Sequence, residues 1–205
     1  MQTSTSSAAH DLQQYQRALR FPPALEREFL RDFGERQPVM LQRFFALGLA
    51  LYMSFAILDY FALPAHYLLA WGIRLLFGAA MLWLVFGARS EFFRRNITWL
   101  PAAWTFWAGI SVLILIYLST SEAPAHQFYP FGLLLIIVAI YIPSSGDLLY
   151  PSLAGWALVI AYLLIGTFHQ HMTSDADLAR SFLITSFFLV GMNVLCMIGG
   201  SMLVF

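Results

Sequence analysis

The chain has 205 residues, of which 60% are hydrophobic and 11% charged, and its mean hydropathy is +0.72. A soluble domain carries about 25% charged residues, so this composition excludes an ordinary water-soluble fold; the apolar positions also fall in runs near the ~20 residues that cross a bilayer. The formal net charge is zero, but every cation is an arginine: with no lysine a Walker-type phosphate loop is excluded, no nucleic-acid partner is expected, and the lone Cys196 excludes a disulfide framework or cysteine metal centre within one chain.

Residues 1–20 are rich in Ser, Thr, Gln and Ala and are expected to form a disordered N-terminal tail. Residues 21–43 read as a short cytoplasmic amphipathic helix. Pro22 and Pro23 suit a first turn, Leu25, Phe29 and Phe33 recur on one face, and Gly34 and Pro38 are expected to stop it. Such a helix lies on the membrane surface or packs beneath a bundle.

Six apolar spans follow, at about 44–63, 67–86, 97–118, 128–142, 148–168 and 180–205. The expected fold is therefore an all-α integral membrane protein, a six-transmembrane-helix bundle. The fourth span is the least regular, because Pro130 and Pro143 crowd its ends. Very short connections at 64–66 and 143–147 make spans 1 and 2, and spans 4 and 5, antiparallel neighbours. In the second connection Gly146 suits the bend and Asp147 an N-cap. Tyr67, Trp71, Trp99, Trp104 and Tyr129 fall near the expected interfaces, where Trp and Tyr are enriched.

Arginine placement orients the bundle. Arg17, Arg20, Arg27, Arg31, Arg36 and Arg43 precede span 1, and Arg89, Arg94 and Arg95 follow span 2, whereas Arg180 alone lies in the other connections. This asymmetry places both termini and the 87–96 loop in the cytoplasm. Span 6 runs to Phe205 with no basic flank after it, and a cytoplasmic output domain is expected to follow.

Two ionisable residues interrupt the first hairpin, "ILDYFALPAHYLLAWGIRLL" (57–76). Such groups are expensive at hydrocarbon depth and mark either structure or function. Asp59 lies about one turn, and Arg74 about two turns, from the connecting loop. Three roles are open to them: a structural ion pair with Arg74 snorkelling outward, a ligand site in which Arg74 takes an anionic head, or a proton relay. No chain of acids continues across the membrane, which disfavours the relay.

His66, His126, His169 and His171 fall near the outer face, but none pairs at i, i+4 on a helix, so neither a metal nor a cofactor is expected. His66, Tyr67 and His126 are candidate contributors to an outer-face site. In span 6, Asn193, Gly199 and Gly200 suit close helix packing or a dimer seam on a signal-transmitting helix.

The cytoplasmic "RFPPALEREFLRDF", the "LDY" near the outer end of span 1 and the internal arginine of span 2 together resemble bacterial six-span MASE-type membrane sensor regions. That resemblance covers about residues 20–205 and points to Phe21, Pro22, Glu26, Phe29, Asp59 and Arg74. It implies a homodimeric sensor and anchor in the lipid bilayer that detects a small apolar or amphipathic ligand, or a membrane state. It also implies a C-terminal output domain that is a diguanylate cyclase, a class III adenylate cyclase or a histidine kinase. None of these catalytic domains lies within the 205 residues, so this segment is expected to have no enzymatic activity of its own. The competing reading is a small stand-alone transporter or channel; a haem-binding oxidoreductase fails on histidine placement.

Overall fold

The computed structural model describes the backbone of residues 23–119, 125–143 and 148–203, and side chains from Val39 onward within those limits except those of Leu84, Arg94, residues 125–127 and residues 202–203. The tail expected over 1–20 and the capping residues Gly146 and Asp147 lie outside the described residues.

Among the described residues the fold is helical throughout, with no strand. The helices are α1 (Pro23–Ala62), α2 (Tyr67–Gly87), α3 (Glu91–Arg95), α4 (Leu100–Leu118), α5 (Ala125–Tyr141), α6 (Leu149–Leu164) and α7 (Ala176–Leu203). Helix α6 continues into a π-helical turn, Ile165–His169.

Five segments are long and apolar enough to cross a membrane: Val39–Ala62, Tyr67–Gly87, Leu100–Leu118, Leu149–His169 and Ala176–Ser201. The chain is thus a multi-pass, membrane-embedded protein. The expected fourth span is shorter, an apolar stretch Phe128–Tyr141 within α5, and Pro130 lies inside that helix instead of bounding it.

Helix α1 runs without interruption from Pro23 to Ala62, so Gly34 and Pro38 lie within it. A proline removes one i→i−4 bond from a helix, and here the helix continues through that loss. The side chains of Leu25, Phe29 and Phe33 lie outside the described ones.

Sequence-local chemistry sets the ends of several helices. Ser90 caps α3 by accepting from the Phe93 amide at 3.2 Å, a device that satisfies one orphan donor of the first turn. This short helix in the arginine-bearing loop has no hydrophobic periodicity to announce it. Pro101 occupies the first turn of α4, where its missing N–H costs nothing. Asp175 Oδ1 accepts from the amides of Asp177 and Leu178 at the start of α7.

Packing places α4 at the centre: 67% of its spanning window is buried, against 17% for α1 and α7. Helices α1 and α2 pack side by side as a hairpin, and α2 leans on α4. Their seam holds one core cluster, in which Phe45, Phe77, Met81 and Phe93 surround Trp104. Trp104 is buried and donates to the Met81 carbonyl at 3.1 Å, so it belongs to the protein interior and not to the membrane interface. The second cluster lies among α4, α5, α6 and α7, around Leu133, Ile137, Leu158 and Leu189.

Candidate functional site: a buried charge clasp beside a lateral cavity

Asp59 sits one turn before the end of α1, and Arg74 two turns into α2, on the helix faces that meet across the hairpin. The Pro64 turn brings the helices antiparallel, and the Leu63 amide closes α1 on the Asp59 carbonyl at 2.9 Å. Both side chains are almost wholly buried, at 0% and 1% exposure. Arg74 grips the carboxylate with two parallel bonds: Nη2 donates to Oδ1 at 2.7 Å and Nε donates to Oδ2. Such fork-to-carboxylate pairs are the strongest side-chain hydrogen bonds. Arg74 therefore does not snorkel towards a membrane surface.

The pair is contacted by further groups from α1 and α5, and α4 joins through Tyr52. Tyr129 of α5 donates its hydroxyl to Asp59 Oδ1 at 2.9 Å. Arg74 Nη1 makes only a long contact, 3.4 Å, with the Tyr52 carbonyl. The guanidinium lies 5.1 Å from the Tyr52 ring centroid and 5.8 Å from that of Phe55, within cation–π range. Tyr52 donates its hydroxyl to Ser111 of α4 at 2.8 Å, and Ser111 donates to the Ala108 carbonyl. The clasp thus ties α1, α2, α4 and α5 together near the hairpin end of the bundle.

Tyr129 and Tyr52 were not singled out as site residues in the sequence. Tyr129 read as an interfacial aromatic, yet it is buried at 1% exposure; the second lone pair on Asp59 Oδ1 needs a donor where no water reaches. For Tyr52 a signal existed: it precedes Asp59 by seven residues, two helical turns along the same face.

Beside the clasp lies a cavity of about 80 Å³ between α1, α2, α4 and α5. Its walls are almost entirely apolar and include Gly48, Phe55, Trp104, Gly132 and Ala139, with Arg74 as the charged side chain among them. Leu51 and Leu135, also on its rim, are 48% and 44% exposed, so the cavity opens sideways between α1 and α5.

The other sequence candidates are dispersed. His66 is exposed in the hairpin turn, and Tyr67 is half-buried between the rings of Tyr60 and Trp71. His126 lies in the first turn of α5 with its side chain outside the described ones. The His169 ring stacks on Tyr117 at 3.9 Å between centroids, and its Nε2 is 3.0 Å from the Tyr117 carbonyl. His171 takes a left-handed backbone, φ 50°. Among the described residues no three His, Cys, Asp or Glu side chains gather. Gln170, not anticipated from sequence, is buried and donates to the carbonyls of Ile116 and Ser119, closing the end of α4.

On α7, Asn193 is fully buried and accepts the Tyr141 hydroxyl at 2.9 Å, while its Nδ2 has no partner. Gly155 of α6 makes room for it: a Cβ there would lie 2.2 Å from Asn193 Oδ1. Gly199 and Gly200 do not share a face. A Cβ on Gly199 would meet nothing within 4 Å, whereas one on Gly200 would lie 2.7 Å from Leu148.

Compared with protein-family models, curated proteins and solved structures, the chain matches none of them.

Proposed function

We propose that this chain is the membrane sensor and anchor region of a bacterial signalling protein. Six spans, with α5 as the fourth, cross the inner membrane, and both termini are cytoplasmic. The region acts as a homodimer and passes a ligand- or membrane-dependent change through α7 to a cytoplasmic output domain. That domain is a nucleotide cyclase, a diguanylate cyclase foremost, or a histidine kinase, and the segment itself performs no chemistry.

The observation that carries this reading is the pairing of a buried charge clasp with an adjoining apolar cavity between α1, α2, α4 and α5. A conduction path needs polar groups in sequence across the bilayer. Here Thr105, Ser111 and Ser119 turn their hydroxyls to carbonyls of their own helix, and Asp59 and Arg74 are spent on each other. What remains is a hydrophobic recess whose filling bears on a rigid four-helix knot. A ligand shifts an equilibrium only by binding two states differently, and a ligand in the recess lies against Phe55 and Tyr52, the side chains that cover the clasp. Helix α7 suits the transmitting role because it is peripheral, 28 residues long and little buried against the other helices.

The gene downstream of the Phe205 codon tests the proposal. An in-frame helical linker followed by a cyclase or kinase domain is expected. A stop codon at that point would overturn it and favour a small stand-alone transporter or channel.

A further inference from the structure

Arg74 has no uncompensated charge to offer. Its Nε and Nη2 are committed to Asp59, and its Nη1 reaches the Tyr52 carbonyl at 3.4 Å. An anionic head placed there would face the Asp59 carboxylate within the same low-dielectric pocket, where like charges repel strongly. The cavity itself offers apolar walls, and its other polar side chain of note, Thr105, already donates to the Pro101 carbonyl at 3.0 Å. Leu51 and Leu135, the half-exposed residues of its lining, lie in the apolar stretches Val39–Ala62 and Phe128–Tyr141, so in the proposed topology a mouth between them faces the bilayer and not water.

We infer that the cavity between α1 and α5 is a lateral docking site for the end of a hydrocarbon chain that enters from the bilayer, with the polar head of that amphiphile left outside the bundle. The volume, about 80 Å³, is roughly half that of an engineered cavity that holds benzene, ~150 Å³, so it takes a few terminal carbons and not a whole chain. Two glycines open the space. A Cβ on Gly48 would already touch Trp104 at 3.5 Å, and one on Gly132 would press Phe55 at 3.3 Å. Phe55 and Tyr52 line the cavity and also cover the Arg74 guanidinium. A chain in the cavity therefore lies against the side chains that cover the clasp. The assignment names the ligand class of the sensor proposed above and rests on that reading for its consequence, although the binding itself needs no output domain.

The test is photolabelling of the whole chain in phosphatidylethanolamine–phosphatidylglycerol nanodiscs, with peptide mapping by mass spectrometry. One probe is a free fatty acid with a diazirine near its chain end; the other is a phosphatidylethanolamine with the same group on its acyl chain. Labels concentrated on Leu51, Phe55, Leu135 and Ala139 are expected. Gly48→Leu and Ala139→Phe, which plug the cavity from opposite helices, are each expected to lower that labelling about tenfold, the equivalent of ~1.4 kcal/mol. Melting temperatures check that both variants remain folded, and the mapped sites on the unaltered chain stand without them. Labelling by the free acid alone identifies a soluble amphiphile as the source, labelling by the phospholipid alone a bilayer lipid, and labelling by both a general chain site. Labels spread over the lipid-facing residues in proportion to exposure, and indifferent to both plugs, would overturn the site; the downstream gene would still decide the sensor reading separately.

Discussion

Asp59 receives three donors at once, two from Arg74 and one from Tyr129, and this count decides what its loss does. Removing one member of a buried ion pair strands the other charge, at a cost of about 3–5 kcal/mol. Arg74→Ala and Asp59→Ala are therefore expected to destabilise the detergent-solubilised protein to a similar degree, as read from thermal or denaturant melts. The exchanged pair, Asp59→Arg with Arg74→Asp, is expected to recover part of the loss; no recovery, with only the Arg74 variant defective, would argue that Arg74 acts alone. The two charges were legible in the sequence because a charge in an apolar run is conspicuous by its cost. Tyr52 and Tyr129 were not, since tyrosine is equally at home at a membrane interface or with its hydroxyl tied inside a core.

Helix ends and seams carry the next level of specification. The five helices long and apolar enough to cross a membrane fall within about five residues of spans read in the sequence, because length and hydropathy set such limits directly. The order of burial was not: α1, α4 and α7 are similarly apolar in sequence, yet only α4 is central, and hydropathy does not distinguish lipid neighbours from protein ones. Close approach is decided by single small residues. Gly155→Ala and Gly166→Ala would each place a Cβ 2.2 Å from a neighbour, Asn193 and Phe182 respectively. Overpacking of this kind costs about 1–3 kcal/mol, whereas Gly72→Ala, with nothing within 4 Å, is expected to be neutral or to stabilise by up to about 1 kcal/mol. Melting curves of the three variants check the contrast. Gln170 closes the C-terminal end of α4 through the Ile116 and Ser119 carbonyls. Gln170→Ala is accordingly expected to speed hydrogen exchange in the last turn of α4 and in the π-helical turn, leaving the first turns of α4 protected.

At the scale of the molecule, the two core clusters divide the labour. One seats the α1–α2 hairpin on the near half of α4, and the other gathers α4, α5, α6 and α7. The proposed topology makes a direct prediction. In a Cys196→Ser background, a cysteine at Arg89 is expected to react only when the cytoplasmic side is open to a membrane-impermeant maleimide, and a cysteine at His66 only from the outside. Labelling of both positions from one side would refute a hairpin that crosses and returns. The arginine bias is the sequence feature from which this orientation is proposed; the short α5, with Pro130 inside it, left the number of crossings the hardest feature to read.

The clasp also bears on how the chain reaches the membrane. An aspartate or an arginine costs about 2.5–3.5 kcal/mol to insert at the centre of an isolated helix and less towards its end, where Asp59 lies, and α1 is made before the partner of Asp59. Its partner follows fifteen residues later, a delay of roughly one to three seconds at ordinary rates of synthesis. Helix α1 is thus a better guest in the bilayer once α2 stands beside it, and the two enter most cheaply as one unit. A charge pair placed close in sequence and near the loop makes the hairpin, and not the single helix, the smallest piece of this protein that membrane insertion handles.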